Sequence, residues 1–398
     1  MLDEIFENFT KNTIFQNKRA LQASYTPETI LHREAEIKQI AGVLAPALRM
    51  EKPSNLFSYG VTGTGKTLSV RYVISQLLIK AKECNSNLKT VYINCKLKRV
   101  ADTEYRILAE LLSALGRKVP VTGLPTDSLY KMFIDVINEE EQLLIIVLDE
   151  IDQVVEKIGD SLLYNLTRLD SSLQNSQISI VGISNKLTFV DTLDPRVKSS
   201  LSEEEILFHP YNAVHLKDIL EQRAKEAFKK DIVGEGVLEK CSAYAASEHG
   251  DARRALDLLR VSGEIVEREG NKKIEQKHVD LAEARIEKDR VLDIVKSQPK
   301  QFQLTLLSII TNSKCYNGKC FYTGDVFEKY SGLCQATKIK EITQRRISDI
   351  IGELDMLGLI TTKVISRGRG GKTREIRLAV NKNLISRVEN LLSENLNL

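Results

Sequence analysis

Long apolar runs are missing from this chain of 398 residues; the longest is the six-residue stretch Leu143–Leu148. A helix that crosses a bilayer needs about 20 such residues, so no membrane-spanning helix is expected. The opening Met1-Leu2-Asp3-Glu4 has no basic region leading into an apolar stretch, so no secretory leader is expected either. Proline is scarce, with 8 residues, and neither internal repeats nor low-complexity tracts occur. With 42% hydrophobic and 28% charged residues the chain can bury sizeable cores, which excludes a disordered tail. Its length suits two or three domains. Cysteine is sparse, at positions 84, 95, 241, 315, 320 and 334, with no C-x-x-C pair and no histidine cluster at zinc spacing. Buried or half-buried thiols in a reducing compartment are expected, with a local Cys315–Cys320 disulfide as the open alternative. An excess of one charge is also lacking: the net value is +3. Where the charge sits therefore matters more than its sum.

Short apolar runs alternate with amphipathic segments over the first half of the chain. Strands are expected at 56–59, 90–94, 143–148, 178–183 and 205–208, after an arm and a helix at 37–48. Helical patterns at 68–80 and 129–137 lie between them. Such alternation implies a parallel sheet covered by helices. From 214 to 288 only helical patterns follow one another (214–228, 237–248, 252–269, 276–288), which predicts a small all-helical domain. After Arg290, helical stretches near 302–312, 323–330 and 343–357 precede two strand-like runs, 360–366 and 374–380. Three helices closed by a hairpin form the pattern of a winged helix.

Gly60-Val61-Thr62-Gly63-Thr64-Gly65-Lys66-Thr67, followed by Leu68, fits G-x-x-x-x-G-K-[ST] between a strand and a helix. Glycines let successive backbone N–H groups turn inward on phosphate oxygens, and the helix N-terminus adds partial positive charge. Lys66 suits the β- and γ-phosphates; Thr67 suits Mg²⁺. The strand Leu143–Leu148 ends in Asp149-Glu150, which fits Mg²⁺ handling by Asp149 and water activation by Glu150. The strand 178–183 leads to Ser184-Asn185, where Asn185 either orients the attacking water or begins a turn.

In order and spacing these residues resemble the Walker A, Walker B and sensor 1 elements of the AAA+ ATPases. Gly250-Asp251-Ala252-Arg253-Arg254 resembles their sensor 2 motif on a helical lid. With the segment Tyr25–Glu34 and the winged helix, the whole chain is similar to the archaeal initiator family related to the origin recognition complex and its cell-division-cycle loader partner. The resemblance implies an α/β AAA+ P-loop ATPase domain with arm (1–208), an all-helical lid (209–291) and a C-terminal winged-helix domain (292–398). It further implies ATP/ADP and Mg²⁺ as cofactors, slow hydrolysis used as a switch, and double-stranded origin DNA as a partner. The replicative helicase and paralogous initiator subunits are implied as further partners, in a cytoplasmic, nucleoid-associated protein. Arg253 would sense the γ-phosphate from the lid, while Arg254 reads as a surface arginine. Ser200 stands where eukaryotic members of the superfamily carry a second-position arginine. Arg196 is thus either a finger for a neighbour's nucleotide or a structural loop residue.

Basic charge concentrates near the C-terminus: residues 300–380 hold 14 Lys and Arg against 7 Asp and Glu. Arg367, Arg369, Lys372 and Arg374 stud a glycine-rich hairpin turn, suited to a minor groove or to phosphates. In the helix after Thr343, an expected N-cap, Ile347, Ile350, Ile351, Leu354 and Leu357 form an apolar stripe. Gln344, Arg345, Arg346 and Ser348 then occupy exposed first turns, where recognition helices meet the major groove. The basic tip 116–123 is either a third DNA contact or an ordinary helix–helix connection. The same parts would also build an ATP-gated transcription regulator, and a clamp-loader-like remodelling ATPase is a third reading.

Overall fold

The computed structural model describes residues 13–96, 103–120, 123–201, 203–315, 321–366, 372–380 and 382–396. They divide into two compact units, one ending at Val279 and one beginning at Asp280. Among the described residues no helix is long and apolar enough to cross a membrane.

The first unit is built on five parallel strands: β1 (Asn55–Tyr59), β2 (Leu88–Asn94), β3 (Leu143–Asp149), β4 (Gln177–Ser184) and β5 (Glu203–Leu207). Their spatial order is β2-β3-β4-β1-β5. β3 lies inside the sheet, between β2 and β4, and is buried along its whole length, which explains its unbroken apolar run. Leu144, Ile146 and Leu148 face one core, with Phe57 and Phe133. Leu143, Ile145 and Val147 face the other, with Leu56 and Val70. Helices α1 (Glu34–Leu44), α2 (Lys66–Glu83), α3 (Glu104–Ala114), α4 (Thr126–Asn138), α5 (Ile151–Ile158), α6 (Ser161–Arg168) and α7 (Pro195–Leu201) cover the sheet. Each fully buried Leu, Ile or Phe on these faces contributes about 1.5–3 kcal/mol.

The segment between β2 and β3 holds α3 and α4, each with one apolar face sunk into the first core (Ile107, Leu108, Leu111 and Leu112; Leu129, Phe133 and Ile137). Helices α8 (Ala213–Ala227), α9 (Val237–Ser247) and α10 (Ala252–Glu269) follow β5. The N-terminal arm is bolted to them: Phe15 stacks on Phe228 with ring centroids 4.9 Å apart, and Lys229 N donates to Ile14 O at 3.1 Å. From there the chain crosses to α1 through residues 22–33.

Helix α11 (Gln276–Ser297) runs nine residues past the predicted end at 288. The second unit continues with α12 (Lys300–Cys315), β6 (Phe321–Tyr322), α13 (Thr323–Thr337), α14 (Gln344–Met356), β7 (Ile360–Ser366), β8 (Lys372–Leu378) and α15 (Lys382–Leu396). The three short strands form an antiparallel sheet in the order β6-β8-β7. Its core gathers Tyr330, Phe321, Ile347, Ile351 and Leu354. The sequence reading lacked β6 and α15. A two-residue strand has no period to detect. The last helix owes its place to tertiary burial, with Val388 and Leu392 in this core. Of the cysteines, Cys95, Cys241 and Cys334 are buried and Cys84 and Cys315 exposed. Burial pushes the Cys95 thiol up to about 12. Cys320, and with it the proposed local disulfide, lies outside the described residues.

Candidate nucleotide cleft and nucleic-acid interface

The C-terminal ends of β1, β3 and β4 lie side by side, with Tyr59 opposite Ser184 and Asp149 opposite Ile183. Open parallel sheets bind ligands at this edge. The loop after β1 turns at Gly63 (φ +77°) and Gly65 (φ +89°), a region where side chains are strained, and Gly65 is the N-cap of α2. The loop N–H groups meet the first turn of an 18-residue helix, which makes an anion-ready cradle. Lys66 is 4% exposed, and its ammonium donates to Gly60 O (2.7 Å) and Val61 O (2.8 Å). Burial lowers its pKa to about 8, and the Arg253 guanidinium pushes in the same direction against the pull of Asp149, Asp152 and Asp251. A buried ammonium held this way gains from an added anion.

Asp149 ends β3 and faces the same cleft. Thr67 Oγ1 donates to its two carboxylate oxygens at 3.2 and 3.1 Å. A second donor, Tyr92 on β2, hydrogen-bonds the same carboxylate, and Arg71 stacks over the Tyr92 ring at 4.5 Å. Burial, then the Asp149 bond, pushes the Tyr92 phenol upward, which keeps it a donor. Hydroxyl and carboxylate oxygens are hard donors, and the set Thr67 and Asp149 fits Mg²⁺ shared with phosphates. Glu150 has left-handed backbone (φ +57°) at the N-cap of α5, an uncommon conformation for a side-chain-bearing residue. Lys96 Nζ lies 3.5 Å from its carboxylate. Asn185 lines the cleft, and Asp152, 3% exposed, holds the turn beneath it: Ser184 Oγ and Asn185 N donate to Asp152 Oδ1 at 3.1 and 3.3 Å.

The helical lid closes the other side. Gly250 (φ +68°) ends one segment, and Asp251 caps α10 by accepting from Arg253 N at 2.7 Å. Ala252 N donates to Gly63 O at 3.2 Å, so the start of α10 touches the phosphate loop directly. Arg253 is exposed and lines the cleft. Arg254 differs from a free surface arginine: it pairs with Glu248 at 3.0 Å and its side chain is 13% exposed. The cavity, about 340 Å³, extends between the loop and the linker residues Tyr25, Pro27 and Ile30. Arg223 from α8 stacks over the Tyr25 ring at 4.7 Å. Arg33 is 4% exposed and donates to Thr64 O (2.8 Å), His209 O (2.5 Å) and Glu36 (2.7 Å) while lying 4.0 Å from the Tyr211 ring. One guanidinium therefore ties the phosphate loop to α1 and to the segment after β5.

Val61, Thr62, Thr64 and Leu68 stand in or beside the loop as expected, with Thr64 buried and its Oγ1 donating to Val61 O at 2.9 Å. Arg196 is exposed on the first turn of α7 and is not among the residues lining the cleft. Sequence reasoning missed Tyr92, Asp152, Arg33 and Arg223. Arg33 lies within the segment Tyr25–Glu34 but was not singled out there, and the other three belong to no quoted motif; each reaches the site through the fold. The only sequence signal was charged or aromatic side chains amid otherwise ordinary segments.

In the second unit Thr343 caps α14, its Oγ1 accepting from Arg346 N at 3.4 Å. Ile347, Ile350, Ile351 and Leu354 are buried, and Gln344, Arg345 and Arg346 are exposed with Ser348 half-buried. Arg346 pairs with Glu353 at 3.3 Å and Asp349 at 4.0 Å. Arg345 makes no ion pair among the described residues. Lys372 begins β8 and Arg374 lies within it; Arg367 and Arg369 lie outside the described residues. In the tip 116–123, Arg117 pairs with Glu139 and Lys118 is exposed, while 121–122 lie outside the described set.

Three family models match the chain: an AAA domain over residues 49–188, a Cdc6 AAA+ ATPase-type lid domain over 217–284, and a Cdc6 C-terminal winged-helix domain over 293–388. The ORC1-type DNA replication protein 1 of Sulfurisphaera tokodaii is 48% identical over 387 residues, covering 97% of this chain and 95% of that protein. The ORC1-type DNA replication protein of Pyrococcus furiosus is 49% identical, covering 95% of this chain and 90% of its own length. Among solved structures, the ORC1 protein of Aeropyrum pernix in complex with DNA matches with a TM-score of 0.85 and 44% identity, covering 97% of this chain and 98% of that one. The chain thus belongs to the family of ORC1-type DNA replication proteins, AAA+ ATPase domains with a Cdc6-type lid and a C-terminal winged helix.

Proposed function

We propose that the chain is an origin-binding initiator that holds double-stranded DNA through its winged helix and helps recruit or load the replicative helicase, with slow ATP hydrolysis as a switch. One observation carries this reading: the Aeropyrum pernix ORC1 protein, alike over nearly the whole chain at 44% identity, was solved in complex with DNA. The proposed division is 1–208 for the ATPase domain with its arm, 209–291 for the lid and 292–398 for the winged helix. Paralogous initiator subunits are proposed partners, and association with the nucleoid follows from the DNA.

In this reading the loop 60–67 and Leu68 cradle the phosphates of ATP. Lys66 meets their charge from below and Arg253 meets it from the lid. Thr67 and Asp149 would hold Mg²⁺, which supplies charge neutralisation on the phosphate oxygens. Tyr92 orients the Asp149 carboxylate. Glu150 accepts the proton of the attacking water and Asn185 orients that water. Arg196 serves a neighbouring subunit's nucleotide. Gln344, Arg345, Arg346 and Ser348 of α14 enter the major groove, and Arg367, Arg369, Lys372 and Arg374 of the hairpin grip phosphates or the minor groove. Genome-wide mapping of the bound protein tests the reading. Occupancy at replication origins is expected; occupancy confined to promoters, with altered transcription, would favour a regulator and overturn it.

A further inference from the structure

Glycine inside a helix weakens it relative to alanine. Gly352 nonetheless sits well within α14, and it is not among the positive-φ residues, so no left-handed turn requires it. The reason lies opposite. A Cβ built on Gly352 would stand 2.8 Å from Arg374 Nη1, 3.5 Å from Nη2 and 3.6 Å from Cζ. The guanidinium of Arg374 therefore rests against the helix backbone at the one position without a side chain. The hairpin register explains how it arrives there. Arg374 on β8 pairs with Val364 on β7. Two residues back along the same face of β7, Thr362 Oγ1 donates to Asp355 Oδ2 of α14 at 2.7 Å. This face of the hairpin lies along α14.

Among the described residues no hydrogen bond or ion pair engages the Arg374 guanidinium, whereas Arg377 pairs with Glu375 at 2.9 Å and Arg346 with Glu353 at 3.3 Å. Arg345, Asp349 and Gly352 follow one another at helical spacing, away from the buried stripe. We propose that Gly352 is a positioning residue for duplex binding. By leaving room for the Arg374 guanidinium, it sets an uncommitted cation of the hairpin beside the exposed face of α14, where it meets a phosphate flanking the groove that the helix enters. The inference rests on the reading that this unit binds duplex DNA. An arginine already held in place loses less rotamer freedom on contact than a free one, and its fork suits a phosphate. The hairpin and the helix then engage the duplex as one surface.

The test uses the full chain and random-sequence duplex DNA, with binding isotherms at several salt concentrations. Arg374→Ala should weaken binding about tenfold at low salt and reduce the salt slope by roughly one. Gly352→Ala should weaken binding several-fold without lowering the melting temperature, because Nη1 is the end of a flexible side chain and can move aside while the helix gains alanine. In the Arg374→Ala background the Gly352→Ala substitution should have no further effect on affinity. A glycine serving only local packing would leave DNA affinity unchanged on Gly352→Ala, and that result overturns the proposal. So does an equal loss in the Arg374→Ala background. Unchanged affinity and salt slope in Arg374→Ala also overturn the proposal, whereas a wild-type chain with no salt-sensitive affinity for duplex DNA would defeat the reading of this unit as a duplex binder instead.

Discussion

The candidate nucleotide cleft and the exposed face of α14 present their polar groups in opposite ways. In the cleft Lys66, Asp149 and Asp152 are buried and bonded beforehand: Lys66 to two loop carbonyls, Asp149 to Thr67 and Tyr92, Asp152 to the turn that carries Asn185. On α14 Gln344, Arg345 and Arg346 are exposed and Ser348 is half-buried; Arg346 pairs with Glu353 and Asp349, while Arg345 makes no ion pair among the described residues. A site that performs chemistry on a fixed triphosphate benefits from preorganisation, since misplacement by about 1 Å is costly. A surface that reads a duplex keeps its donors free until the partner arrives, and draws much of its affinity from long-range charge. The teaching is that substitutions in the cleft should act through geometry, while those on α14 should act through salt and sequence.

The largest effect is expected at Lys66. Lys66→Ala removes the buried cation of the loop, and on the proposed reading ATP affinity should fall by roughly a hundredfold, about 3 kcal/mol, in a fluorescent-nucleotide titration. Wild-type affinity in that variant would break the comparison at its strongest point. Glu150→Gln should leave nucleotide affinity near that of the wild type and slow single-turnover hydrolysis about a hundredfold, because the amide no longer accepts a proton. Unchanged hydrolysis would remove Glu150 from the base role.

On the duplex side, Arg345→Ala should cost about 1–3 kcal/mol on the specific site and much less on random DNA. Equal losses on both duplexes would make it a phosphate contact and erase the distinction drawn for α14. The smallest expected change sharpens the claim of preorganisation. Tyr92→Phe keeps the ring beneath Arg71 and deletes only the hydroxyl that bonds Asp149. The Mg²⁺ concentration needed for half-maximal tightening of nucleotide binding should rise about tenfold, with affinity in EDTA unchanged. A loss of the metal-free affinity would show that Tyr92 supports the fold of the loop rather than the orientation of the carboxylate.

Much of this molecule can be read without coordinates, and the reason differs by element. β3 is legible because a strand buried on both faces must be apolar throughout. The loop 60–67 is legible because a phosphate cradle needs glycine at positive φ, then a lysine and a hydroxyl on the first helical turn. α14 is legible because its buried stripe repeats at helical period and Thr343 caps it. The α11 end at Ser297, strand β6 and helix α15 were not legible, since each owes its extent to neighbours far along the chain.

Sequence by itself determined the alternation of strands and helices, the strand–loop–helix setting of residues 60–67, the acidic end of β3 and the exposed turn of α14. These depend on local period and on chemistry confined to a few consecutive residues. Only the tertiary structure decided which distant side chains complete them. Tyr92 reaches Asp149 because β2 pairs with β3 in a register that sets Asn94 opposite Asp149. Arg33 reaches the loop from the N-cap of α1, its Nε donating to Thr64 O. Arg374 finds Gly352 because the hairpin folds back along α14. A contact of this kind joins residues separated by tens of positions, and no pattern within either segment encodes the other. The physical determinant is the packing of whole elements, which exists only once the chain has folded.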